Sequence, residues 1–316
     1  MNVKRMISSL VSIGVIFTFI GCSNSDPVSA IDNSKDVSAG TSIGNSYGQI
    51  CGVGTFHPND LYYIDPNSLN RNLAHTPNTD RISMGVNNDV YHIQRSNTTT
   101  NVVYKNDVPL PRQPNSRIQY YLDIAAAKNG DVFIIGKIVS STYPYNVTQA
   151  VYYYDHVSNY WYGYGSGMTK AKRICVGPDN KPIVITTDNR IYRYNSGWQE
   201  INRTAGDAYD ELIDLDYNDV GYLYIVSLNH LTWTANVFKY EPYFWGNIDE
   251  IFWSKPFSTF EDIYAICSNY GIGNGISDEN EFYIASYKGL FEQCIYGEWK
   301  FLTGERFWDL SRSWKP

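Results

Sequence analysis

The sequence predicts an all-β fold, a β-propeller with six blades as the best count and five or seven also compatible. Three observations predict it. Short apolar runs alternate with tight turns, as in Arg173–Ile201, where Ile174–Val176, Ile183–Ile185, Ile191–Tyr194 and the segment opened by Trp198 are separated by Pro178-Asp179-Asn180, Asp188-Asn189 and Ser196-Gly197. This pattern recurs along the chain at the period of a four-stranded blade. No long segment carries a 3.6-residue apolar period or a capping box, which argues against helices.

The first 21 residues read as a secretory signal peptide. Lys4 and Arg5 precede an apolar run from Met6 to Ile20 that is short for a membrane span. The run ends Phe19-Ile20-Gly21-Cys22, which resembles the lipobox of bacterial lipoproteins, with Phe19 where Leu is usual. That resemblance implies cleavage before Cys22 and lipidation of Cys22, with palmitate-type chains. Residues 22–46 are rich in Ser, Asn, Asp and Gly and lack periodicity, so they read as a flexible tether. The expected setting is the bacterial cell envelope, lipid-anchored at the outer membrane or cell surface.

The propeller is expected over residues 47–316. Its repeat opens with Ile or Leu in an apolar run, followed by an Asn/Asp/Gly turn and a second apolar run. The anchors are Ile50, Ile82, Ile124, Ile174, Leu215 and Ile266, spaced 32, 42, 50, 41 and 51 residues. A third run follows in each unit, and Gly turns before Trp198 and Trp299 place those rings at the start of outermost strands. Ring closure should pair the Tyr47–Ile50 region with either Lys300–Leu302 or Phe307–Leu310. A β-sandwich would not give repeats of this length.

Trp161, Ala171–Asn180, Ile191-Tyr192-Arg193 and Trp198 together are similar to a tectonin-type propeller repeat. Ser286–Phe291 with Gly297-Glu298-Trp299 resembles the end of a two-component-regulator propeller repeat. Each match covers one blade. The tectonin resemblance implies binding of sugars or lipopolysaccharide.

Composition excludes some partners. The chain has 316 residues, 28 Tyr and a net charge of −7, which cleavage before Cys22 would take to −9 by removing Lys4 and Arg5. A negative chain without an RRM, zinc-finger or basic-helix pattern is not expected to bind nucleic acid. Cys51, Cys175 and Cys267 recur in one Ile-Cys setting and read as equivalent core positions, while Cys294 stands apart. No cofactor fingerprint, metal-ligand spacing or nucleophile elbow is present, so no catalytic or metal-binding residue is assigned. The acidic clusters Asp214–Asp219 and Ser277–Glu281 read as turns at the repeat's Asn/Asp position. The five His residues fall in unrelated contexts.

The aromatic stretches Val151–Met168 and Lys239–Trp253 hold more rings than one sheet face can bury, so some should reach solvent. Tyr160, Trp161, Trp245 and Trp253 are the candidate ligand-binding residues. The function expected is a lipid-anchored binding platform for a glycan or an envelope protein. An assembly scaffold for envelope proteins and a metal-dependent propeller hydrolase or lyase are the alternatives.

Overall fold

The computed structural model describes residues 50–54, 60–64, 71–74, 78–94, 102–111, 118–139, 146–201, 210–218, 221–232, 234–240, 251–253, 263–268, 282–286, 289–293, 299–304 and 306–312. These residues form strands in six four-stranded antiparallel sheets and include no helix.

Blade 1 begins with β1 (Ile50–Gly54), β2 (Leu61–Ile64) and β3 (Arg71–Ala74). Blade 2 is β4 (Thr79–Met84), β5 (Val90–Gln94), β6 (Val102–Lys105) and β7 (Val108–Pro109). Blade 3 is β8 (Ile118–Ala126), β9 (Val132–Val139), β10 (Val147–Asp155) and β11 (Tyr160–Gly163). Blade 4 is β12 (Ala171–Val176), β13 (Pro182–Thr186), β14 (Ile191–Tyr194) and β15 (Trp198–Ile201). Blade 5 is β16 (Asp210–Tyr217), β17 (Leu223–Asn229), β18 (Thr234–Tyr240) and β19 (Ile251–Trp253). Blade 6 is β20 (Ile263–Ser268), β21 (Phe282–Ser286), β22 (Gly289–Gln293) and β23 (Trp299–Thr303). The last strand, β24 (Phe307–Arg312), returns to blade 1 and pairs with β1, Gly52 opposite Leu310.

The inner strands β24, β4, β8, β12, β16 and β20 each touch the next around a closed ring. Blade 1 therefore combines both ends of the described chain, and Phe307–Leu310 is the closing segment. The anchor Ile50 is corrected accordingly: it lies on the second strand of its blade, and Leu310 holds the position that Ile82, Ile124, Ile174, Leu215 and Ile266 hold elsewhere. The first repeat looked short because its inner strand is supplied from the other end. Cys51 is likewise not equivalent to Cys175 and Cys267; all three are buried free thiols. Cys294 lies outside the described residues.

Six apolar clusters hold the ring, one at each junction between neighbouring blades. The cluster of Ile183, Ile185, Ile191, Leu215, Ile225 and Phe238, for example, joins blades 4 and 5. Val184, between Ile183 and Ile185, points the other way into the cluster shared with blade 3. Both faces of a blade are thus buried, which is why strands such as Pro182–Thr186 are buried throughout rather than alternating. Burial of this kind supplies the main favourable term in folding.

The turn from first to second strand shares one hydrogen bond in four blades. The amides of Gly85, Ala127, Gly177 and Asn218 donate to the carbonyls of Asp89, Asp131, Lys181 and Tyr222, four residues on. The fourth residue of each turn, Asn88, Gly130, Asn180 or Gly221, has positive φ, the conformation that Gly and Asn adopt most readily. The recurrent Asn/Gly punctuation is this turn.

Candidate functional site

Every inner strand carries a one-residue β-bulge at the same place, two residues before its anchor. The register skips Trp308, Asp80, Leu122, Lys172, Ile213 and Tyr264 in blades 1 to 6. A bulge twists a strand and re-aims the extra side chain. Six of them at one level make a collar at one end of the central channel.

The residue following the bulge, directly before the anchor, is Asp309, Arg81, Asp123, Arg173, Asp214 and Ala265 in blades 1 to 6. Acid and base alternate until the sixth position. Each Asp accepts the anchor amide of the next blade: Asp309 from Ile82 (2.8 Å), Asp123 from Ile174 (2.7 Å) and Asp214 from Ile266 (3.0 Å). The arginines satisfy the complementary groups. Arg81 donates to the bulge carbonyls of Leu122 (3.3 Å) and Trp308 (3.4 Å), and Arg173 donates to that of Ile213 (3.1 Å). The ring therefore pairs backbone groups across blades as well as charges (Arg81 with Asp123 and Asp309, Arg173 with Asp214).

One layer deeper, Ser311, Ser83 and Asp216 repeat the same link, accepting the amides of Met84, Ala126 and Ser268. A cavity of about 50 Å³ runs between these layers, bounded by all six inner strands. Its walls are polar and it has room for water.

Burial dominates the electrostatics of the ring. Desolvation pushes Asp214 and Asp309 up to about 7 and Asp216 to about 6, against the lowering pull of Arg173, Arg81 and the amides they accept. Asp123, between two arginines, is also raised by burial. Asp214 and Asp216 correct the sequence reading: they are interior residues of β16 and line the channel, and the turn begins only at Asn218. The acidic segment Ser277–Glu281 lies outside the described residues.

At the collar, Trp308 is 44% exposed and its ring meets Tyr264 of the neighbouring blade, centroids 4.6 Å apart. Lys172, on the same level, bonds Glu211 (3.2 Å), which also takes His230 (2.9 Å). An aromatic face at a channel mouth that also carries charged side chains on its other blades can stack on a ligand ring and leave its polar edge toward the channel.

The candidates read from the sequence fall elsewhere. Tyr160 is exposed on β11, the outermost strand of blade 3, edge-on to Tyr162 at 5.1 Å. Trp161 is corrected: it is buried, packs on Tyr154 and donates from its indole nitrogen to the Pro111 carbonyl at 2.7 Å, so no ligand can reach it. Trp253 ends β19 opposite Phe238, and its side chain lies outside the description. Cys22 and Trp245 lie outside the described residues. Trp308 and the charged ring were missed, although aligning the six anchors would have exposed the charged column beside them.

Asp131, Asp155 and His156 are, among the described residues, a set of metal-type donors within 4.8 Å of one another. Asp131 already accepts from Tyr153 and the His156 ring, and Asp155 from the Val157 and Ser158 amides, so the set reads as a turn lock on blade 3.

No protein-family model and no curated protein matches the chain. Among solved structures it is similar to a protein of unknown function from Bacteroides caccae, with TM-score 0.51 and 7% identity over 84% of this chain and 98% of that one. It is also similar to a YCF48 bound to a D1 peptide (TM-score 0.46, 12% identity, 81% and 78% covered) and to a streptogramin B lyase (TM-score 0.49, 13% identity, 84% of each covered). At 7% identity the likeness to the Bacteroides caccae protein shows the fold alone, and by the closed ring of its six sheets the chain is a six-bladed β-propeller.

Proposed function

We propose that this protein is a lipid-anchored envelope protein, held through Cys22, whose propeller binds a glycan at the collar of the central channel. The observation that carries the reading is Trp308: a large, half-exposed ring on an innermost strand, set beside Tyr264 and on the level of Lys172 and Asp80. Sugar rings offer a flat C–H face and hydroxyl edges, which fit an aromatic platform with charged groups around it. The buried carboxylates favour binding over hydrolysis, because each holds a backbone amide of the next blade and so serves the fold.

A glycan array on the purified full chain tests this. Binding should be seen, and Trp308→Ala should weaken it about tenfold, the loss of one aromatic stacking contact. Tyr160→Ala should leave it unchanged, since Tyr160 sits on the outer edge of blade 3. Silence across the array, or full binding by Trp308→Ala, would remove the glycan reading.

A further inference from the structure

The alternating ring has a gap. Arg81, Arg173 and Ala265 hold equivalent positions 92 residues apart, and the first two place a guanidinium between the aspartates of neighbouring blades. Ala265, which is fully buried, brings no charge to the position that lies between Asp214 of blade 5 and Asp309 of blade 1 in the order of the ring. Three aspartates thus share two arginines, and Asp216 adds a fourth carboxyl one layer deeper on the same side of the channel.

We propose that a proton takes the place of the missing third arginine, carried by Asp214 or Asp309 across the Ala265 gap, so that closure of the propeller tightens as the surroundings become acidic. A carboxyl can carry it without giving up its structural role. One oxygen goes on accepting the amide of Ile266 or Ile82, while the proton goes to the other, Oδ1, which stands 3.7 Å from Arg173 in Asp214 and from Arg81 in Asp309.

The titratable and charged groups around the gap come from five of the inner strands: β24 supplies Asp309, β4 Arg81, β8 Asp123, β12 Arg173 and Cys175, and β16 Asp214, Asp216 and Tyr217. Cys267 of β20 packs instead in the cluster between blades 6 and 1. Arg173 is held charged by Asp123, Asp214 and Asp309 despite its burial, and burial keeps the Cys175 thiol protonated. Asp80, Lys172 and Tyr264 stand one level up, on the collar.

An ordinary aspartate titrates near 3.8, whereas burial holds Asp214 and Asp309 near 7. The folded chain therefore binds protons that the unfolded chain has released. The stabilisation is complete below the unfolded value, and it is lost as pH rises through about 7. Asp216, raised to about 6, adds to the same trend, whereas groups whose values are lowered work differently. Burial lowers His92, which opposes the trend as pH falls, and Asp188, held at about 2 by Thr186 and Lys170, titrates below the range of interest.

Urea unfolding of the purified full chain between about pH 5.5 and pH 8 tests the proposal. The folding equilibrium constant should be at least about tenfold larger at the lower pH, equivalent to one proton bound on folding over about one pH unit. Asp214→Asn and Asp309→Asn keep an amide acceptor in place and should each remove more than half of that pH dependence. Equal stability at both values, or unchanged pH dependence in both variants, would overturn the proposal. Stabilisation at pH 8 by added Ca²⁺ would overturn the proton as the occupant of the gap.

Discussion

Asp123 concentrates the logic of the channel in one side chain. Its carboxylate accepts the Ile174 amide 51 residues away and lies within 3.9 Å of the Arg81 guanidinium, so one group joins blades 2, 3 and 4. Asp123→Ala would strand a buried N–H and leave two arginines short of counter-charge, at a cost of about 3–5 kcal/mol. Asp123→Asn keeps an oxygen for the amide but loses the charge, so it should fall between wild type and Ala. Equilibrium denaturation in urea checks both, and a loss below about 1 kcal/mol in the Ala variant would mean the link is dispensable. At this scale the sequence was least legible. A single Asp between Leu122 and Ile124 looks like any strand residue. Trp161 misled for the opposite reason. A Trp in an aromatic run on an outer strand looks solvent-facing until the Pro111 carbonyl, from 50 residues earlier, is brought against it.

The elements were read more reliably than their side chains, because turn chemistry and apolar runs are local. Trp198 and Trp299 do open outermost strands, and the Asn/Gly turns fall where left-handed backbone is needed. Closure was narrowed to two segments and no further, since pairing between chain ends leaves no local mark. Packing decides it in favour of β24. Phe307 is fully buried in the cluster between blades 6 and 1, and a Cβ on Gly52 would stand only 2.5 Å from its ring. The glycine is there to let the ring lie flat on β1. Phe307→Ala should therefore cost about 3–5 kcal/mol, the usual range for emptying a buried aromatic site. Thermal and urea unfolding measure it, and a marginal loss would show that β24 is held mainly by its backbone pairing with β1.

For the whole molecule, the anchor spacings already held more than the blade count. From Ile82 onward they alternate as 42, 50, 41 and 51 residues, a two-blade period that the structure explains. The Asp-to-amide links run from blade 1 to 2, 3 to 4 and 5 to 6, so the ring reads as three pairs of blades, the third of which carries Ala265 where the other two carry arginine. Reading single blades hid this period. All six four-stranded blades are supplied between Ile50 and Arg312, so no strand upstream of Ile50 is needed to close the ring. That leaves the N-terminal segment available for a separate task, the lipid attachment proposed at Cys22. Among the described residues no helix is long and apolar enough to cross a membrane, and a net charge of −9 after cleavage works against adsorption to anionic lipid. Acyl chains on Cys22, as proposed, would bind a bilayer with roughly 0.8 kcal/mol for each methylene buried. Cys22→Ser should then move the protein from the membrane fraction to the soluble fraction, with its β-sheet circular dichroism unchanged. A Cys22→Ser protein that still sediments with membranes would place the attachment elsewhere in the chain and remove the lipid anchor from the proposed function.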